Sequence, residues 1–193
     1  MQTSSANAHS PGLSLYKDKR MIWTVKRGRH KFWPSKGLGL PKVRQRPTIF
    51  YYNVNLSESA IYLLDGNDQL DWNKGAGVSF NLFTNHKNSW MWAWRYNPKT
   101  NKFEVTYYIH DGNEIYKGDT EFVEVDPGQD FVVMMSKHDN TYHCAIQVGN
   151  IIKHLCVKYK GKHKRLGREI NPWFGGNRKA PNKISFYMKK HIA

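Results

Sequence analysis

The chain has 193 residues, 39 % hydrophobic and 14 % aromatic, with 30 Lys and Arg against 15 Asp and Glu, a formal charge of +15. That length and composition suit one folded domain with a real core and exclude a disordered chain. No apolar run approaches the ~18 residues that span a bilayer, and two cysteines cannot build a disulfide scaffold or a Cys-rich zinc module.

In chain order, residues 1–20 read as an extended arm and 21–193 as a single domain. Residues 1–12 are polar and lack the apolar stretch of a secretory signal, so synthesis in the cytoplasm is expected. A short strand at 21–25 precedes the basic turn Lys26-Arg27-Gly28-Arg29-His30-Lys31. Pro34, Gly37, Gly39 and Pro41 then break regular structure until about residue 46. Beyond it, β-branched and aromatic stretches predict strands at 48–54, 60–64, 77–83, 90–96, 103–110, 122–125, 131–135, 142–148, 151–159 and 184–188. No segment carries a helical period with caps, and no internal repeat is visible. Many short strands at close spacing predict an antiparallel sandwich or barrel.

Two hairpins can be placed in register. About the turn 97–102, pairing residues whose numbers sum to 199 sets Trp90, Trp92, Trp94 and Tyr96 opposite Ile109, Tyr107, Val105 and Phe103. The other face then holds Arg95 opposite Glu104, an opposite-charge pair worth about 0.2–1 kcal/mol. A one-residue slip would scramble both faces, so the tryptophan stripe belongs to the core and is not a sugar-stacking platform. Gly149-Asn150 suits a two-residue turn. A sum of 299 then gives an apolar face of Tyr142, Cys144, Ile146, Val148, Ile151, Leu155 and Val157, interrupted by Lys153. Cys144 points inward and Cys156 outward, which is poor disulfide geometry, so both are expected as free thiols.

The positive charge is segregated. Eleven basic residues against Asp18 in 17–46 give +10, and twelve against Glu169 in 153–190 give +11. Between them, 47–152 holds seven basic and thirteen acidic residues and nets −6. Basic flanks on an acidic body suit docking to a polyanion, whether nucleic acid, an acidic protein surface or an anionic glycan. The residues expected to dock are Lys26, Arg27, Arg29, Lys31, Arg44, Arg46, Lys162, Lys164, Arg165 and Arg168.

Catalytic motifs are scarce. Glu121, Glu124 and Asp126 resemble the alternating carboxylates of glycosidase strands, but the run ends at Pro127-Gly128 with no third carboxylate in phase. The nine histidines form no His-Glu-x-x-His and no close His/Asp cluster. Gly-x-Ser-x-Gly, the phosphate-binding loop and the dinucleotide fingerprint are all missing. No catalytic residue, metal or cofactor is expected.

Three strings carry a resemblance. They are Asp68-Gln69-Leu70-Asp71-Trp72-Asn73-Lys74, then His86-Lys87-Asn88-Ser89 running into Trp94-Arg95-Tyr96-Asn97, then Asn171-Pro172-Trp173-Phe174-Gly175-Gly176-Asn177 with Ala180-Pro181. Together they resemble a poorly characterised group of small lectin-like proteins with the concanavalin A-type jelly-roll sandwich. The likeness covers about 22–190 and implies an all-β, two-sheet antiparallel jelly roll behind an N-terminal arm. The group's pattern has Arg near 91 and His near 182, where this chain has Met91 and Asn182.

In such a sandwich, the face opposite the tryptophan stripe presents Met91, Arg95, Tyr108 and His110, rimmed by loop residues Asn73, His86 and Asn88. Planar polar groups beside an aromatic ring are what sugar hydroxyls need. The leading expectation is a non-catalytic recognition or assembly module, a structural component of a larger assembly such as a bacteriophage virion. Its basic flanks would meet other protein subunits or packaged nucleic acid, leaving one sheet face free for a glycan. The rivals are a carbohydrate-binding protein acting alone, a glycan-cleaving enzyme on the same fold, and a cytosolic nucleic-acid binder.

Overall fold

The computed structural model describes residues 21–45, 49–81, 88–138, 141–158 and 166–192. The alternating stretches form strands β1 (Met21–Val25), β2 (Trp33–Pro34), β3 (Val43–Gln45), β4 (Ile49–Asn55), β5 (Asn73–Ser79), β6 (Asn88–Asn97) and β7 (Lys102–Asp111). They continue as β8 (Glu114–Lys117), β9 (Val123–Val125), β10 (Asp130–His138), β11 (Thr141–Val148), β12 (Ile151–Lys158), β13 (Leu166–Ile170) and β14 (Ile184–Ile192). Among the described residues, helix is limited to two 3-10 turns, Glu58–Ala60 and Gly66–Leu70. None of it is long and apolar enough to cross a membrane. The back sheet runs β12-β11-β10-β4-β14-β1-β2, and the front sheet runs β3-β13-β5-β6-β7-β8, with β9 also on β7. Pairing within both sheets is antiparallel. The chain is a two-sheet antiparallel jelly-roll sandwich, as expected; the arm at 1–20 lies outside the described residues.

Both hairpins take the derived register, Arg95 opposite Glu104 in β6–β7 and Cys144 opposite Leu155 in β11–β12. Trp90, Trp92 and Trp94 are buried between the sheets. Trp92 and Trp94 meet Phe186 of the back sheet edge-on, at 6.3 and 6.0 Å, and Trp90 lies 4.6 Å from Tyr142. Such pairs add about 0.5–1.5 kcal/mol each beyond the area they bury. Cys144 is buried and Cys156 exposed, both as free thiols. Ile151, assigned to the core face, instead stands 68 % exposed at the hairpin tip. Lys153, the break in that face, donates to the Phe122 carbonyl at 3.0 Å.

Four readings of the sequence need correction. The stretch 60–64 is no strand: the Glu58–Ala60 turn leads into coil. Its apolar residues plug the core from a loop, with the Tyr62 ring 5.9 Å from Trp94 and 4.9 Å from Phe174. The Pro- and Gly-rich segment contains β2 and β3, each short enough to fit between the breakers. Strand β5 starts at Asn73, earlier than expected, because a bulge between Lys74 and Gly77 hides its alternation. Strands β8 and β13 were not foreseen at all, both being polar-rich.

Candidate functional site

The outer face of the front sheet divides into a covered half and an open half. On the covered half, Arg95 Nε donates to Glu104 Oε2 at 2.5 Å and Nη1 to the Leu70 carbonyl at 3.0 Å. Its guanidinium lies 4.2 Å from the Trp72 ring centre and 5.9 Å from that of Phe122. The other Glu104 oxygen accepts from Asn97 Nδ2 at 2.7 Å. Segment 118–122 closes over this half, with Trp72 Nε1 on Asp119 at 2.7 Å and Thr106 Oγ1 on the Glu121 carbonyl at 2.6 Å. Arg95 was expected to face a ligand. It is instead spent on a roofed ion pair, because Trp72 and Phe122 pack on the sheet where solvent was expected.

The open half is a cleft of about 550 Å³ whose lining includes Met91, Tyr108, His110, Lys74, Arg168, Lys31 and Trp173. Lys74 Nζ sits 4.7 Å from the Tyr108 ring centre and donates to the Gly175 carbonyl at 3.2 Å. Burial lowers the Lys74 pKa, against the opposing pull of Asp71. Burial also raises the Tyr108 hydroxyl, helped by Asp71 and Asp119. The His110 ring lies 5.2 Å from that of Tyr108. Trp173, 42 % exposed, forms the wall and stacks on His30 at 5.1 Å with planes 8° apart.

The loop that carries Trp173 is fixed from both sides. Its backbone exchanges two hydrogen bonds with Lys74, both 2.9 Å, and Phe174 N donates to the His30 carbonyl at 2.7 Å. Gly175 has φ +62°, and a Cβ there would fall 2.6 Å from the Arg178 carbonyl oxygen, so only glycine fits. Gly175 N donates to Asn73 Oδ1 at 2.6 Å, and Asn73 Nδ2 donates to the Tyr62 hydroxyl at 2.9 Å. Arg178 pairs with Asp68 at 2.6 Å. The first and third strings that carried the resemblance therefore meet, and what they build is largely the scaffold under the cleft.

Met91, Tyr108 and His110 come together in the cleft. Asn73 does not rim it: the residue is fully buried and its amide faces the core. Asn88 falls on the inward register of Trp90, opposite Asp111, so it does not rim the face either. His86 lies outside the described residues. Of the docking residues, Lys26, Arg27 and Arg29 are exposed. Lys31 and Arg168 line the cleft, and Arg44 lies on β3. Arg46, Lys162, Lys164 and Arg165 lie outside the described residues. Lys74 and Trp173 were missed as site residues, although both stand in strings already singled out.

A second groove of about 880 Å³ adjoins the first across Trp173 and Lys31 and is lined by Lys26, Arg29, His30, Trp33 and Lys179. Trp33 is 52 % exposed, with Lys31 Nζ 4.0 Å from its ring centre. Glu124 and Asp126 lie elsewhere, at a strand end, 3.9 and 3.5 Å from Lys102 Nζ. Among the described residues, no group of three or more His, Cys, Asp or Glu is placed to hold a metal ion.

No family model matches the chain, and no curated protein matches its sequence. Among solved structures, it is similar to the alginate lyase from Klebsiella pneumoniae, with TM-score 0.51 and 12 % identity over 75 % of this chain. The match spans 59 % of the lyase. At that identity the likeness establishes the fold alone, a β-sandwich. A functionally unknown protein from Saccharomyces cerevisiae gives TM-score 0.49 at 9 % identity, over 90 % of this chain and 88 % of that one. The CBM2 module of Lactobacillus casei BL23 phage J-1 evolved Dit gives 0.43 at 11 % identity, over 87 % and 81 %.

Proposed function

We propose that this chain is a non-catalytic recognition module that holds an acidic glycan in the front-sheet cleft and docks into a larger assembly, such as a virion, through its basic flanks. One observation carries the glycan reading: Trp173 offers an exposed ring at the wall of a cleft floored by Tyr108, whose basic lining is Lys31, Lys74, Arg168 and His110 against the single carboxylate Glu169. Rings suit the apolar faces of sugars, and cations suit their carboxylates or sulfates. Glu169 is already paired with Lys190 at 2.8 Å. Hydrolysis of a glycosidic bond usually takes two free carboxylates, so the lining favours binding over hydrolysis. The docking reading rests on the exposed turn Lys26-Arg27-Gly28-Arg29, whose backbone is hydrogen-bonded to Ala180.

Calorimetric titration with a short polyuronate and with a neutral glucan of equal length tests this reading. Saturable binding of the polyuronate alone, lost in Trp173→Ala, supports it. Equal binding of both glycans, or of neither, overturns it. Release of reducing ends or of unsaturated sugar from the polyuronate overturns the non-catalytic part.

A further inference from the structure

Between the two sheets lies a third hollow, of about 500 Å³, which touches the front-sheet cleft at Glu169, Ile170 and Asn171. Its walls are apolar: Met21 and Trp23 of β1, Met188 of β14, and Ala76 of β5, under a loop that brings Leu38 and Leu40 across the mouth. The loop turns at Gly37 and Gly39, with φ +77° and +57°, and Asn171 Nδ2 holds the Gly39 carbonyl at 2.5 Å. Leu38 and Leu40 are 77 % and 69 % exposed, so the mouth itself is greasy.

Two polar features stand in this apolar setting. Glu169 of β13 and Lys190 of β14 form an ion pair at 2.8 Å that ties the sheets together, and both line the cavity. Tyr52 of β4, paired in register with Lys190, lines it too, is fully buried, and its hydroxyl has no hydrogen-bond partner among the described residues. Burial, with the Glu169 carboxylate adding to it, raises the hydroxyl pKa, so the group stays a donor. A buried donor left without an acceptor costs about 1–3 kcal/mol, and native proteins rarely tolerate one without a bound group to meet it. The remaining charges of the lining, Lys36 and Lys42, are both positive.

We infer that this inter-sheet cavity binds a small amphipathic carboxylate, its acyl or aromatic body against Trp23 and Met188 and its oxygen accepting from Tyr52. An apolar-walled hollow of this size with a few convergent polar groups is the usual form of a small-molecule site. The two hollows meet at Glu169, Ile170 and Asn171, but Tyr52, Trp23 and Met188, on which this site relies, do not line the front-sheet cleft.

The test is titration of the full-length chain with sodium decanoate below its micelle concentration, followed by calorimetry. One saturable site per chain is expected. Tyr52→Phe should weaken it about tenfold, the scale of a hydrogen bond to a charged group. The denaturation midpoint of the unliganded variant should stay unchanged or rise, because no internal bond is lost. Leu40→Asp at the exposed mouth, a change that leaves the core intact, should weaken binding as well. Absence of saturable binding would mean that the hydroxyl meets only water, and overturns the inference. So would equal affinity in Tyr52→Phe, or a lowered midpoint in that variant without ligand.

Discussion

Arg95 and Glu104 face one another across β6 and β7, with Nε 2.5 Å from Oε2, side chains 13 % and 3 % exposed, beneath the rings of Trp72 and Phe122. The pair was readable from the register, but the roof above it was not. Under a roof, its energetics change sign of interest: the net worth of the pair is small, while breaking it strands a desolvated charge. Glu104→Leu alone should therefore cost about 3–5 kcal/mol in urea unfolding. The double variant Arg95→Met, Glu104→Leu should recover most of that loss. A double variant no more stable than the single one would show that the pair holds the sheet by more than mutual neutralisation.

Gly75 is fixed by the ring beneath it. A Cβ on Gly75 would lie 2.1 Å from Trp92 Cε2, inside the packed core, whereas Gly28 has open space and needs only its φ of +73°. Gly75→Ala should lose cooperative unfolding or fall in stability by more than the ~1–3 kcal/mol usual for overpacking. Gly28→Ala should cost about 1–2 kcal/mol, the penalty of a left-handed residue with a side chain. Thermal unfolding of both variants separates the two mechanisms, and similar losses would contradict the crowding argument.

These two positions also show what the sequence could and could not reveal. The β6–β7 hairpin was legible because large apolar residues alternate with polar ones on both arms, leaving one workable register. Strand β5 was misplaced because Gly75-Ala76-Gly77 has almost no side chains to alternate. Strand β13 was invisible because its inward residue is Glu169, acceptable there only through Lys190 of β14, a partner no local pattern announces. The cleft follows the same rule. Tyr108 and His110 were found because they sit on a regular strand. Trp173 and Lys74 were not, since their meeting depends on a loop closing through Gly175 from a hundred residues away.

The two thiols should differ sharply in reactivity. Cys144 is buried, and desolvation pushes its pKa up to about 12, whereas Cys156 is exposed with Sγ 3.2 Å from His143 Nδ1. The thiolate is the reactive form, so a protonated, buried thiol is inert. Native protein should titrate one thiol with a disulfide reagent and two after unfolding in guanidinium. Cys156→Ser should remove the native signal entirely, and rapid labelling of two thiols in the native chain would contradict the burial of Cys144.

Lys74 gives the front-sheet cleft a pH dependence of definite sign. Burial lowers its pKa in the folded chain, so it loses its proton at a pH where an ordinary lysine is still charged. In the window between the two values the unfolded chain binds the extra proton, and the stability of the unliganded protein should rise with pH. Affinity for a polyuronate should move the other way, falling as pH climbs through the lowered value, because the cation is lost. Lys74→Gln should flatten both trends. Calorimetry at stepwise alkaline pH checks the affinity, and a variant that keeps the wild-type profile would place the titrating group elsewhere.

The basic turn and the cleft should separate in a salt titration. Lys26, Arg27 and Arg29 are exposed cations, while Trp173 offers a ring whose contribution does not depend on ions. A polyanion held by several surface cations releases counterions, so its affinity falls steeply with salt, with a slope set by the charges neutralised. Replacing Lys26, Arg27 and Arg29 together with Gln should reduce that slope for single-stranded nucleic acid or polyphosphate by about two to three charges' worth. The same variant should leave binding of a short polyuronate nearly unchanged, because Lys31, Lys74 and Arg168 still line the cleft. Trp173→Ala should do the reverse, weakening the polyuronate at every salt concentration without changing the slope. If the triple variant keeps its slope, the turn is only a solubilising surface and docking must use the basic residues of 153–190. If both variants act alike on both ligands, the cleft and the groove beside it form one continuous polyanion track across Trp173.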